Sequence, residues 1–199
     1  MTGAYDAIVL AGGRGSRMSG QPKPQLRVGD KTMLERVLAA VGGAGARVVV
    51  GPPQPVPDGV LLVQEDPVGS GPVAGLAAGL ARTSSEVVTV LAADLPFLTT
   101  QLIEALITGL GPDVDVALLV DENGRDQYLL GAWRRNRLRT ALTELGPLSG
   151  RGMHELIAPL RVGRVRVPAS NGVPAPWTDI DTPAELDRAR RNPAPPTQP

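Results

Sequence analysis

Short apolar runs alternate with helix-period patterns along most of this chain, and that alternation is how a mostly parallel sheet covered by helices is encoded. The runs lie at residues 7–11, 47–50, 60–63, 87–91, 114–120 and 162–167. Between them Leu34, Val37, Leu38 and Val41 recur at i, i+3, i+4 and i+7, and Thr32 with Glu35 forms a capping box that opens this helix. Gly42 and Gly43 close it. The same spacing returns in Val73, Leu76, Ala77 and Leu80, and in Ile103, Leu106, Ile107 and Leu110, which predicts three amphipathic crossover helices. Residues 134–157 read as two shorter helices interrupted at Gly146, Pro147 and Gly150, and a last helix starts at Thr182-Pro183-Ala184-Glu185 with a second capping box. The expected fold is α/β, three-layered and Rossmann-like, with a mostly parallel central sheet. At 199 residues, 42% of them hydrophobic, the chain can bury one large core. Residues 1–191 are therefore expected to form a single domain, with the proline-rich residues 192–199 as a flexible tail.

The first apolar run leads straight into Leu10-Ala-Gly-Gly-Arg-Gly-Ser-Arg-Met-Ser-Gly-Gln-Pro-Lys23, a glycine-rich turn carrying two arginines and ending on a lysine. Glycines let backbone N–H groups approach phosphate oxygens, while Arg14, Arg17 and Lys23 can neutralise charge that amides alone cannot hold. Of 20 basic residues only Lys23 and Lys31 are lysines, so a compact ammonium has been placed beside this turn in a chain that otherwise uses arginine. Two common phosphate loops are excluded. No Gly-x-x-x-x-Gly-Lys-Ser/Thr run is present, and the dinucleotide pattern Gly-x-Gly-x-x-Gly fails because Met18 stands at the third glycine position after Gly13 and Gly15.

A triphosphate needs a divalent cation, and magnesium takes oxygen ligands, commonly one or two carboxylates with phosphates and water. Asp94 follows an apolar strand and opens Asp-Leu-Pro-Phe-Leu-Thr, so it is expected at a strand's carboxyl end, where open α/β sheets collect ligands; it also reads as a turn cap before Pro96. In Trp177-Thr-Asp-Ile-Asp-Thr-Pro183 an extended backbone puts Asp179 and Asp181 on one face and Ile180 on the other. Asp181 is the second candidate metal ligand, and Asp179 serves equally as a cap for the helix after Thr182. Gly71 and Pro72 are expected to begin a helix whose N–H groups face the site. Asp66, just upstream, places a hydrogen-bond acceptor beside that helix start.

Taken together these segments resemble the nucleotidyltransferase family typified by molybdenum cofactor guanylyltransferase. Its signature Leu-Ala-Gly-Gly-x-x-x-Arg-Met, with a lysine five residues beyond the methionine, matches Leu10, Ala11, Gly12, Gly13, Arg17, Met18 and Lys23. The family's Asp-x-Pro-x-Leu-Thr, whose aspartate binds magnesium, resembles the stretch from Asp94, and its Gly-Pro-Leu-Ala-Gly loop resembles the stretch from Gly71. Two departures stand out. The family's usual Asn-x-Asn-Thr-Pro is acidic here, as in its cytidylyltransferase relatives, and its asparagine after the second strand is replaced by Gly51-Pro52-Pro53.

The resemblance implies a nucleotidyltransferase fold, with donor binding in the N-terminal half and acceptor binding in the C-terminal half. It implies transfer of GMP from GTP to the phosphate of molybdopterin, release of pyrophosphate, and dependence on Mg2+. Arg17, Lys23 and Asp94 would be the catalytic groups. Leu10, Ala11, Gly12, Gly13, Asp66 and Gly71 would complete the nucleotide contacts. Arg125, Gln127 and Arg151 are candidates for an anionic acceptor, or simply members of a solvated charged face. The alternatives are a cytidylyltransferase, a sugar-phosphate or other small-phosphate nucleotidyltransferase, or a nucleotide-binding module without turnover. Composition narrows the rest. A net charge of zero argues against nucleic acid or an anionic membrane as partner, and the absence of cysteine removes disulfides and thiolate chemistry. His154, the sole histidine, is expected on a helix surface. No apolar run spans a membrane and no basic stretch precedes the first run, so a cytoplasmic location is expected and the oligomeric state is left open.

Overall fold

The computed structural model describes residues 5–12, 17–18, 20–168 and 174–191. In chain order the elements are β1 (Tyr5–Leu10), β2 (Arg17–Met18), β3 (Gln21–Pro22), β4 (Arg27–Val28), β5 (Lys31–Thr32), α1 (Met33–Ala40), β6 (Arg47–Val50), β7 (Leu61–Val63), α2 (Pro72–Leu80), β8 (Val87–Ala92), α3 (Thr100–Thr108), β9 (Val116–Val120), β10 (Asp126–Arg134), α4 (Arg135–Glu144), α5 (Met153–Ile157), β11 (Val162–Val165) and α6 (Pro183–Arg191). Seven strands form one sheet in the order β11-β9-β10-β8-β1-β6-β7. Parallel pairs join β1 to β6 and β8, β6 to β7, and β9 to β11, so the sheet is mostly parallel, as the alternating pattern requires.

All six residues of β1 are buried because helices cover both faces. Alternation decides which way each points: Ala7 and Val9 pack towards α1 and α3, whereas Ile8 and Leu10 pack towards α2, α4 and α5. The result is the expected three-layer α/β arrangement. Gly75 and Gly79 let α2 lie close on the sheet, since a Cβ at Gly79 would stand 2.7 Å from Ile8 Cγ2.

Three differences from the sequence reading have local causes. First, β1 begins at Tyr5 rather than residue 7, because the polar Asp6 is buried with its carboxylate accepting the backbone N–H groups of Ala46, Ser84 and Ser85. Second, β9 starts at Val116 rather than residue 114, since the N–H of Val114 bonds Gly111 and that of Asp115 bonds Arg161. Third, residues 126–134, where the sequence pattern shows no strand, form β10, antiparallel to both β8 and β9. A register shift between Gln127 and Gly131 interrupts its alternation and hides the strand from pattern reading.

Candidate active site

The order of strands reverses around β1, with β6 on one side and β8 on the other. At such a point the connections leave in opposite directions and open a crevice at the carboxyl ends of the strands. Leu10, Ala11 and Gly12 stand there: the N–H of Ala11 bonds Val50 at 2.7 Å, and the carbonyl of Leu10 accepts from Ala93 at 3.0 Å. Asp94 is the next residue on the β8 side. Leu10 to Gly12, which open the glycine-rich segment, and Asp94 are thereby delivered to neighbouring strand ends by backbone pairing alone. Gly13 and Arg14 lie outside the described residues, as does the side chain of Arg17, whose backbone pairs with Pro22.

Beyond β3 the chain forms a single 3-10 turn, Lys23–Gln25, in which Lys23 stands between Pro22 and the buried Pro24. It aims Lys23 inward. The Lys23 ammonium donates to Asp94 Oδ2 at 3.0 Å and to Asp181 Oδ1 at 2.6 Å, joining positions separated by 71 and 158 residues. The lysine side chain is 8% exposed, against 27% for Asp94 and 65% for Asp181. Burial works to lower the lysine pKa, but the hydrogen bond to Asp181 and the charge of Asp94 outweigh it and hold the ammonium above the ordinary lysine value.

The three segments share an apolar seat. Leu26 follows Lys23, Phe97 follows Asp94 and Ile180 precedes Asp181; all three are buried in one cluster with Met18, Val28, Met33, Leu186 and Ala189. Burial of those side chains, worth roughly 1.5–3 kcal/mol each, sets the backbones from which the polar groups project. Three further hydrogen bonds fix the Asp179–Asp181 stretch. The Trp177 indole N–H donates to Glu122 Oε2 at 2.7 Å, and Glu185 Oε2 accepts the N–H groups of Asp181 and Thr182. Thr182 Oγ1, not an aspartate, caps the N–H of Glu185. Asp179 is exposed, yet its carboxyl pKa is pushed up, by its packed surroundings first and then by the charges of Asp181 and Asp94. Among the described residues no three acidic, histidine or cysteine side chains are grouped closely enough to hold a metal ion; Asp94 and Asp181 form a pair that meets on one cation.

The remaining expected residues are distributed around this centre. Gly71 adopts φ +97°, a left-handed conformation suited to glycine, and Pro72 opens α2 with no side-chain cap on its N-terminus. Asp66 is exposed and lines a groove of about 440 Å3 with Ser70, Ala74, Ala77 and the loop from Pro147 to Ser149; Lys23, Asp94 and Asp181 are not part of that lining. Gln127 is bonded to Asp121 and Arg151 to Glu155, while Arg125 is exposed. His154 lies on the short α5.

Gly51, in the stretch that departs from the family pattern, lies tight against the backbone of Ala11 and Gly12. A Cβ there would stand 2.9 Å from both the carbonyl carbon and oxygen of Ala11. Gly51→Ala is expected to displace the Ala11–Gly12 backbone and to lower stability by about 1–3 kcal/mol, the range for overpacking a closed contact. Chemical denaturation checks this, and an unchanged midpoint would remove Gly51 from that role.

The fold is that of a nucleotidyltransferase. Its likeness to solved structures includes molybdopterin-guanine dinucleotide biosynthesis protein A from Archaeoglobus fulgidus, with a TM-score of 0.73 at 22% identity over 94% of this chain and 97% of that one. It also includes 2-C-methyl-D-erythritol 4-phosphate cytidylyltransferase from Thermus thermophilus, with a TM-score of 0.69 at 20% identity over 94% and 98%. The chain belongs to the MobA-like NTP transferase domain family, whose sequence profile matches residues 7–165. Among its relatives are the molybdenum cofactor guanylyltransferase of Acidiphilium cryptum, 31% identical over 92% of both chains, and that of Bradyrhizobium sp., 31% identical over 71% of this chain and 73% of that one. It is an enzyme of this type, a MobA-like nucleotidyltransferase. No helix among the described residues is long and apolar enough to cross a membrane.

Proposed function

We propose that the chain transfers GMP from GTP to the phosphate of molybdopterin with release of pyrophosphate, the donor being held mainly by the first half of the chain and the acceptor by the second. The observation that carries this reading is the meeting of Lys23, from the glycine-rich segment, with Asp94 and Asp181 at the carboxyl edge of the sheet. The names of the relatives supply the guanylyl group and the acceptor.

The acceptor phosphate is already ionised, so in-line attack on the α-phosphorus needs no general base; positioning and charge stabilisation suffice. The backbone at Gly12 and Gly13, with Lys23 and Arg17, holds the triphosphate. Val73 and Ala74, in the first turn of α2, carry N–H groups without intrahelical partners and offer further donors. Asp66 accepts from the guanine edge. Asp94 and Asp181 fit a magnesium ion, because their oxygens already converge on one cation and magnesium is satisfied by two carboxylates when phosphates and water complete its shell. Bound there, magnesium would neutralise and orient the triphosphate.

The acidic Asp179-Ile180-Asp181 stretch favours a second reading, a cytidylyl donor, because it matches the form found in cytidylyltransferase relatives. Pyrophosphate release with molybdopterin and each triphosphate in turn separates the two. GTP is expected to support turnover at least about tenfold faster than CTP, the discrimination that one unsatisfied polar contact on the base provides. The reverse preference would establish the cytidylyl reading, and no release with any donor would leave a binding module.

A further inference from the structure

The function proposed above assigns Asp94 and Asp181 to a divalent cation and Lys23 to phosphate, yet the Lys23 ammonium occupies the point where the two carboxylates converge. A magnesium ion bound to the pair would lie about 2.0–2.1 Å from their oxygens. An ammonium 3.0 Å from Asp94 and 2.6 Å from Asp181 leaves no room for it without bringing two cations into contact. This lysine is not a passing surface contact, for its side chain is 8% exposed and its backbone is held between two prolines. Its long stem can move while the backbone stays.

We propose that Lys23 is a placeholder cation, which keeps free divalent ions off Asp94 and Asp181 until a triphosphate draws it away. Free metal meets carboxylates already neutralised. Free triphosphate meets a lysine already engaged by two acids, and is repelled by them. The metal–triphosphate complex resolves both at once: its cation takes the carboxylates and its phosphate oxygens take the ammonium. Metal and nucleotide binding are therefore strongly cooperative, each raising the affinity for the other by the same factor. This inference rests on the donor reading, but its first test does not require a nucleotide.

Binding of Mn2+ alone to the full chain, counted by the loss of the free-ion EPR signal, tests the exchange. Lys23→Met is expected to bind Mn2+ at least about tenfold more tightly than the wild type, the scale of one close charge–charge interaction near a protein surface. Lys31→Met removes the same charge from an exposed position and is expected to keep the wild-type affinity. Adding Asp94→Asn to Lys23→Met is expected to abolish the gain. A Lys23→Met protein that binds Mn2+ no better than the wild type overturns the proposal. Should that variant not fold, Asp94→Asn offers an independent reading: with one carboxylate gone, metal-free GTP is expected to bind more tightly than to the wild type, and equal or weaker binding overturns the exchange. Tighter Mn2+ binding by Lys23→Met, with no GTP binding by the wild type in the presence or absence of Mn2+, would uphold the placeholder while removing the donor reading.

Discussion

An Asp94→Asn protein is expected to fold normally and to lose about 10²–10³-fold in kcat for metal-dependent pyrophosphate release, the scale for removing a group that stabilises transition-state charge. Asparagine keeps the shape of the side chain and can still accept a hydrogen bond from Lys23, so packing is preserved while the charge is lost. Partial exposure of Asp94 limits what its ion pair adds to stability, and the change in unfolding free energy is expected to stay within about 1 kcal/mol. The contrast between the two measurements carries the argument. Steady-state release assays beside thermal unfolding give both, and a wild-type rate would place the chemistry elsewhere in the molecule.

The second large effect concerns stability at the opposite edge of the sheet. Asp115 is 1% exposed and accepts from Arg137 Nε at 3.0 Å and from Arg161 through both its backbone N–H and its guanidinium, tying the starts of β9, α4 and β11 together. Asp115→Ala is expected to cost about 3 kcal/mol, at the low end for breaking a buried pair because both arginines remain half exposed. For a chain of this length that corresponds to a fall of roughly 6–12 °C in Tm. Acid sensitivity follows from the same contacts. The hydrogen bond from the Arg161 guanidinium is the largest influence on the Asp115 carboxyl and outweighs the opposing effect of burial, holding its pKa well below the ordinary carboxylate range. A depressed folded-state pKa stabilises fully above the unfolded value, near 4, and the contribution drains away as the pH falls beneath it. Asp115→Asn is accordingly expected to lose less stability between about pH 4 and 2 than the wild type. Denaturation midpoints across that interval decide it, and parallel curves for the two proteins would contradict the linkage.

Local chemistry was readable in the sequence because it repeats within a few residues. Both capping boxes are present, with Thr32 and Glu35 exchanging bonds at the start of α1 and Thr182 and Glu185 at the start of α6. The apolar periodicities of α1, α2 and α3 reflect one buried face each, and the glycine-rich segment starts at a strand end because β1 closes at Leu10. What was not readable depends on partners far away. Asp6 is polar beside the first apolar run, and only Ala46, Ser84 and Ser85, distant in sequence, supply the N–H groups that let it be buried. β10 was missed because Gly131 replaces a side chain where a Cβ would meet Leu118 Cδ2 at 2.7 Å, leaving no apolar alternation to see. Lysine and aspartate types could be assigned separately to phosphate and cation, but nothing in their spacing said that Lys23 and Asp181 would touch across 158 positions. Glu122 carried no signal at all, since its importance comes only from the indole it meets.

That indole gives the molecule an optical handle. The chain has two tryptophans, and Trp133 is fully buried on the face of the sheet covered by α2, α4 and α5. Trp177 instead shares a short hydrogen bond with an exposed carboxylate, two residues ahead of the Asp179–Asp181 stretch. Any ligand that shifts this stretch changes the surroundings of one fluorophore and not the other, so occupancy can be followed in the native protein without attaching a dye.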